Sequence, residues 1–348
     1  AGMDKRALIL VTCIVSGIIT MMTGLMTNSP FAMAPGMGLN AFFTYSLVIG
    51  EKIRWETALG IVFISGLFFL VLTATGFRQK LVRAIPRDLI LAITVGIGVF
   101  ISFIGLQHLG LVVKDPETFV KMGAFSPQVL LGLLGFFIIV CLDIFKIRGS
   151  LLFGILSVTL LAMALGFADV PKSIFSFELS ISPLFLKLDI IGALKLSLLA
   201  AVFSLMFVDL FDSIGTIIGL SDRAGMTGKD GAIPQLSRLL GIDALATMTG
   251  ALFGTSTTTT YIESAAGIST GGRSGLTSVV TGFCFLGAIF FVPVIAVVPS
   301  YATAPALIMV GYTMLRHISD INFKEIRTGL PSFVIILMIA FSYSISAG

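Results

Sequence analysis

Apolar runs long enough to cross a bilayer follow one another along almost the whole chain, separated by short charged or Gly/Pro-containing connections. A membrane-spanning helix takes roughly 20 apolar residues, or about 28 with a short loop, so 348 residues hold about twelve. Hydrophobic residues make up 56% of the chain and charged residues 11%, with a mean hydropathy of +1.07. A soluble domain has about 45–50% and about 25%. These values exclude a water-soluble protein and predict an all-α polytopic protein, multi-pass in the cell membrane and solvated by the lipid bilayer.

The candidate spans cover about 6–26, 31–48, 54–76, 86–112, 126–146, 149–167, 190–220, 235–253, 260–272, 274–298, 301–317 and 328–347. Two of them, 31–48 and 260–272, follow stretches a membrane helix avoids: the Pro/Gly-interrupted SPFAMAPGMGLN and the β-branched GTSTTTTY. Each reads as an extended segment leading into a half-helix. Thirteen of the 22 basic residues fall in alternate loops: Arg78, Lys80, Arg83 and Arg87; Lys146 and Arg148; Arg223, Lys229 and Arg238; Arg273; and Arg316, Lys324 and Arg327. The positive-inside rule places those loops in the cytoplasm. The net charge of +4 is too small and scattered to suggest nucleic acid. Cys13, Cys141 and Cys284 share no ligand or disulfide spacing. No nucleotide loop, metal cluster or nucleophile–base pair supports an enzyme or an ATP-driven pump, so neither cofactor nor metal is expected.

The string MTGLMTNSPF at 22–31 has a counterpart in MTGALFGTST at 248–257, which puts the two broken segments in register about 226 residues apart. Ile85-Pro86 and Val95-Gly96 recur as Val298-Pro299 and Val310-Gly311. Segment two pairs with segment nine, an odd shift, so the second copy is inverted across the membrane. Inverted repeats with discontinuous helices mark secondary transporters whose site lies near the midplane. Carrying the register to both ends predicts a seven-plus-seven architecture of which this chain lacks the first and last spans. A natural twelve-span variant is the alternative.

Acids inside spans are the chemically informative residues, because a carboxylate at a span centre costs at least about 2.5–3.5 kcal/mol. Asp209 and Asp212 lie three residues apart, with Ser213 and Thr216 each four residues beyond one of them, as a polar stripe on an otherwise apolar helix. Either acid can serve substrate or proton, or merely bond a neighbouring helix. Glu263 follows the threonine run 257–260 at the start of a half-helix. There a positive dipole end and two carboxylate acceptors suit a neutral heterocycle with N–H groups better than an anion. A capping role is the plainer alternative. Pro35, Gly36, Gly38 and Asn40 form the matching break in the first half.

These residues carry a family likeness. APGMGLNAFFTYSLV (34–48), VGIGVFISFIGLQHLGLVV (95–113), DLFDSIGT (209–216), GTSTTTTYIESAAGISTGGRSGLTSVVTG (254–282) and PSYATAPALIMVG (299–311) closely resemble the AzgA-like purine permeases, the adenine/guanine/hypoxanthine branch of the nucleobase-cation symporters. The likeness implies a core domain (1–76 with 190–298) that carries substrate and a gate domain (77–189 with 299–348, incomplete). It also implies short strands near 30–34 and 256–260 that cross beside the substrate. The family's substrate acid maps to Glu263, and its eighth-span acid to Asp212, which contacts the base or carries the coupling proton. Asp209 is a second candidate for that proton. Asn40, Gly38, Thr258, Thr259, Thr260 and Tyr261 complete the implied site, and Ser213 stands where the family usually has threonine. The implied partners are a purine and a proton, in a chain that can form a homodimer. Transport of uracil, xanthine or an anion on the same architecture, and a non-transporting ligand-binding protein, are the rival expectations.

Overall fold

A computed structural model describes residues 2–75, 86–147, 149–171, 173–177, 179–226, 233, 235–261, 263–269 and 271–342. The chain runs α1 (Lys5–Thr27), β1 (Met33–Pro35), α2 (Met37–Ala41, continued as a π-helix over Phe42–Gly50), α3 (Trp55–Ala74), α4 (Arg87–Leu109), β2 (Val112–Asp115), β3 (Phe119–Met122), α5 (Pro127–Ile144) and α6 (Ser150–Ala164). It continues through α7 (Ile190–Ala193), α8 (Leu199–Arg223), α9 (Leu236–Phe253), β4 (Thr258–Thr260), α10 (Ser264–Ser269), α11 (Gly275–Ala288), α12 (Val292–Ala296), α13 (Ser300–Leu315) and α14 (Ile326–Ser342). Among the described residues seven helices are long and apolar enough to cross a membrane, and Gly38–Gly50, Ser150–Ala164 and Ile326–Phe341 are shorter apolar helices.

The segment at 260–272 takes the expected form, the end of a strand followed by a six-residue helix, because four consecutive β-branched threonines favour extended backbone. Two expected spans take a different form. The span expected to 112 stops at Leu109, where Gly110 adopts φ 83° and the chain turns into the β2–β3 hairpin. The span from 190 opens with the short turns Ile190–Ala193 and Leu196–Leu198 before α8 begins. Arg78, Lys80, Arg83, Arg148 and Lys229, used for orientation, lie outside the described residues.

The described chain divides into two compact units. One comprises Ala1–Ile90 and Phe175–Val292. Within it α1 packs on α11, and α3 on α9. The first contact depends on Gly17, Gly24, Gly275 and Gly282: a Cβ on Gly24 would strike the carbonyl of Gly275, and one on Gly282 would come 2.7 Å from the carbonyl of Gly17. Lipid tails are as apolar as leucine, so helices associate by such close backbone approach. Gly66 of α3 plays the same part against Met248 and Thr247 of α9. Phe31, Phe69, Leu210, Ile214, Ile217, Leu240 and Ile268 form a buried cluster that ties α8 to the half-helix α10. The segment before α7 is pinned to this unit by the Ser176 N–H on the Phe290 carbonyl (3.0 Å), Leu186 on Leu252 (2.8 Å) and Asp189 on Glu56 (2.9 Å).

The other unit comprises Leu91–Ile174 and Pro293–Ser342. Here α4 and α13 meet at Gly98 and Gly311, each facing the other's carbonyl, and Gly105 sits against Ala304. The sequence echo pairs Gly96 with Gly311; in space it is Gly98 that meets Gly311, while Gly96 lies against Ile339. The β2–β3 hairpin pairs Val112 with Met122 and Asp115 with Phe119. Asp115 closes its turn. It accepts from the N–H of Thr118 (3.0 Å) and of Glu117 (2.9 Å) and pairs with the Lys121 ammonium at 2.9 Å. The Thr118 N–H first, then Lys121 and the Glu117 N–H, hold its pKa down, from 3.8 to about 2. A depressed carboxylate contributes stability above its unfolded pKa, and that contribution is lost as pH falls through the folded value. Hydrogen exchange at Thr118 and Glu117 is therefore expected to stay protected at pH 5 and to lose protection progressively between pH 4 and pH 2. Unchanged protection down to pH 2 would contradict the assignment.

Candidate functional site

β1 and β4 pair antiparallel, Met33 with Thr260, Ala34 with Thr259 and Pro35 with Thr258, so the two broken segments cross inside the first unit. The bonds from Gly36 N–H to Thr257 O (3.3 Å) and Tyr261 N–H to Ala32 O (2.8 Å) set the alternation. Residues 33, 35, 258 and 260 therefore turn their backbone groups outward. Pro35, with no N–H to lose, occupies one of these outward positions. A bare sheet edge is not tolerated at membrane depth, because no water is there to satisfy it. Side chains close both edges here. Thr20 of α1 accepts from Met33 N–H (2.9 Å) and donates to its carbonyl (3.0 Å). On the far edge, the Thr247 hydroxyl reaches Thr258 O (3.2 Å), and Asp243 accepts from Thr260 N–H (3.2 Å) and from the Thr259 hydroxyl (3.0 Å).

Asp243 is fully buried on α9, and the sequence reading did not single it out. The cost that flags Asp209 and Asp212 applies equally to an acid inside GIDALATM, and would have found it. Asp209 is also fully buried, with Oδ2 accepting from Thr247 at 3.1 Å. The single Thr247 proton thus lies between Asp209 and the Thr258 carbonyl. Ser213 and Thr259 share a 2.6 Å hydroxyl contact, and since Thr259 donates to Asp243, Ser213 is the donor in that pair. These groups form a continuous polar layer from α8 through β4 to α9.

Asp212 is placed differently. It is half-buried, one turn along from Asp209, and its Oδ2 comes within 3.6 Å of where a Cβ on Gly36 would stand. A side chain there would also press on the Thr259 methyl at 3.1 Å and on Leu39 at 3.3 Å, so glycine keeps the approach to Asp212 open. Glu263 is half-buried and precedes the first residue of α10; the next residue, Ser264, accepts from Ala32 N–H at 2.9 Å and ties that half-helix to the entry of β1. Asn40 and Gly38 lie half-buried on α2, with the Asn40 N–H bonded back to Gly36 O (2.8 Å). Tyr261 is half-buried. Thr258, Thr259 and Thr260 are buried; Thr259 spends its hydroxyl on Asp243 and Ser213, while the hydroxyls of Thr258 and Thr260 find no partner among the described residues.

Asp212 and Glu263 are thus two half-buried acids beside the strand crossing, Asp212 near Gly36 just after β1 and Glu263 three residues after β4. As carboxylates, both can accept hydrogen bonds. A family model described as a permease family, Xan_ur_permease, matches residues 1–348. The chain belongs to this permease family. The permease is 46% identical over 349 residues to a permease of Methanocaldococcus jannaschii, with all of this chain and 80% of the relative aligned. It is 41% identical to the adenine permease AdeP of Escherichia coli (100% and 78% aligned) and 38% identical to the guanine/hypoxanthine permease PbuG of Bacillus subtilis (99% and 79%). In fold the permease resembles the transmembrane domain of the cyanobacterial bicarbonate transporter BicA, with a TM-score of 0.75 at 18% identity, covering 97% of this chain and 88% of that one. Its architecture is the seven-plus-seven inverted repeat, and the protein is a multi-pass membrane transporter rather than an enzyme.

Proposed function

We propose that this permease imports purine nucleobases (adenine, guanine or hypoxanthine) by proton symport. The observation that carries the reading is the placement of Asp212 and Glu263, two half-buried acceptors, at the crossing of β1 and β4 in a chain 38–41% identical to an adenine and a guanine/hypoxanthine permease. Glu263 accepts from the N–H edge of the base. Asp212 contacts the base or carries the coupling proton, and Asp209, behind the strand, is a second proton position. Asn40, Gly38 and the backbone of Thr258 to Tyr261 complete the pocket. The unit of Ala1–Ile90 and Phe175–Val292 carries the substrate, the unit of Leu91–Ile174 and Pro293–Ser342 acts as the gate, and transport proceeds by movement of one relative to the other.

Competition against radiolabelled hypoxanthine uptake tests the substrate class, and a protonophore tests the coupling. Unlabelled adenine, guanine or hypoxanthine is expected to displace the label, equimolar uracil or bicarbonate is not, and the protonophore is expected to stop uptake. Displacement by uracil or bicarbonate but by no purine would overturn the substrate assignment. Uptake indifferent to the protonophore would overturn proton symport.

A further inference from the structure

The side-chain amide of Asn40 is held by two partners from different parts of the chain. Its nitrogen donates to the carbonyl of Pro35 at 3.4 Å, and its oxygen accepts from the hydroxyl of Ser256, a 6% exposed residue just before β4. A carbonyl can only accept, so the Pro35 contact decides which end of the amide is nitrogen. Ser256 must then be the donor. Among the described residues, both bonds together leave the amide one uncommitted N–H. Gly36, one turn before Asn40, is a point near which Asp212 lies, its Oδ2 3.6 Å from where a Cβ would stand.

We propose that Ser256 is a positioning residue that locks the Asn40 amide so that it offers a donor to the substrate, and so determines specificity for a ligand with a ring-nitrogen acceptor beside its N–H groups. This rests on the purine reading above and deepens it. Asp212 and Glu263 as carboxylates read only donors. A purine carries both unprotonated ring nitrogens and N–H groups, and a pocket of acceptors alone would not register the former. Without the Ser256 hydroxyl, the Asn40 oxygen loses its donor and the amide its fixed orientation, so the donor is no longer aimed.

The test is equilibrium binding of hypoxanthine and of its 3-deaza, 7-deaza and 9-deaza analogues, in which one ring nitrogen is replaced by carbon. In the wild-type protein one of these replacements is expected to weaken binding about tenfold or more, the discrimination typical of a buried hydrogen-bonding site. In Ser256→Ala that one ratio is expected to fall to within about twofold while the other two stay as they were, and Ser256→Thr, which restores the hydroxyl, is expected to recover it. A merely structural role would weaken all four ligands together and leave the ratios unchanged, which would overturn the proposal. Should Ser256→Ala not accumulate, Asn40→Asp, which has no N–H, must show the same collapse of one ratio, and its failure to do so would be equally fatal. Absence of any purine binding by the wild-type protein would instead remove the reading on which this one rests, and this one with it.

Discussion

Asp243→Ala is expected to destabilise the permease more than any other single substitution near the strand crossing. The change removes the acceptor for the Thr259 hydroxyl and the Thr260 N–H, both fully or almost fully buried. Each orphaned donor costs about 1–3 kcal/mol. All three residues are buried away from solvent, so the lost acceptor is not simply replaced by water. Against a typical stability of about 5–15 kcal/mol the loss is large. Asp243→Asn keeps one acceptor oxygen and is expected to be much milder. Thermal unfolding of the detergent-purified protein checks this: a large drop for alanine with partial retention for asparagine is expected, and an alanine variant as stable as wild type would contradict the edge-closing role.

Glu263→Gln is expected to have the largest effect on transport. The substitution preserves size and one acceptor oxygen but removes the charge, and a hydrogen bond to a charged group is worth about 1.5–3 kcal/mol. Roughly a tenfold to hundredfold loss of purine affinity follows. α10 is held by Ser264 on Ala32 and by Ile268 in the buried cluster, neither of which involves the Glu263 carboxylate, so the fold is expected to survive. Radiolabelled uptake with matched protein levels and melting temperatures separates the two roles. Normal uptake with a lowered melting temperature would make Glu263 a structural cap.

Much of this arrangement was legible in the sequence because membrane burial leaves few ways to satisfy a backbone. Apolar run length marked the long helices, and Pro35, Gly36, Gly38 and the threonines at 257–260 marked the two breaks. Both strands follow an identical Met-Thr-Gly by similar intervals, at Met22 and Met248, and β1 and β4 lie two to three residues later than the resemblance placed their starts. The β2–β3 hairpin went unseen: its strands are four residues each, mix valine with lysine and aspartate, and turn through Pro116-Glu117-Thr118 rather than an Asn-Gly or Asp-Gly pair. Ser256 and Asn40 are 216 residues apart, and nothing local to either announces the bond. Asp209 shows the limit of helical spacing as evidence. Its distance from Asp212 predicted one polar stripe, but Asp209 is fully buried and bonded to Thr247, whereas Asp212 stays half-exposed near Gly36.

Purines are expected to be carried across the membrane through the crossing of the two broken helices. Counterflow in proteoliposomes measures this without depending on the coupling ion: vesicles loaded with unlabelled adenine or hypoxanthine are diluted into trace radiolabelled hypoxanthine. Transient accumulation above the equilibrium level, absent from protein-free vesicles and lost in Glu263→Gln, is expected. Purine binding to the same protein without counterflow, or counterflow that Glu263→Gln leaves intact, would contradict it.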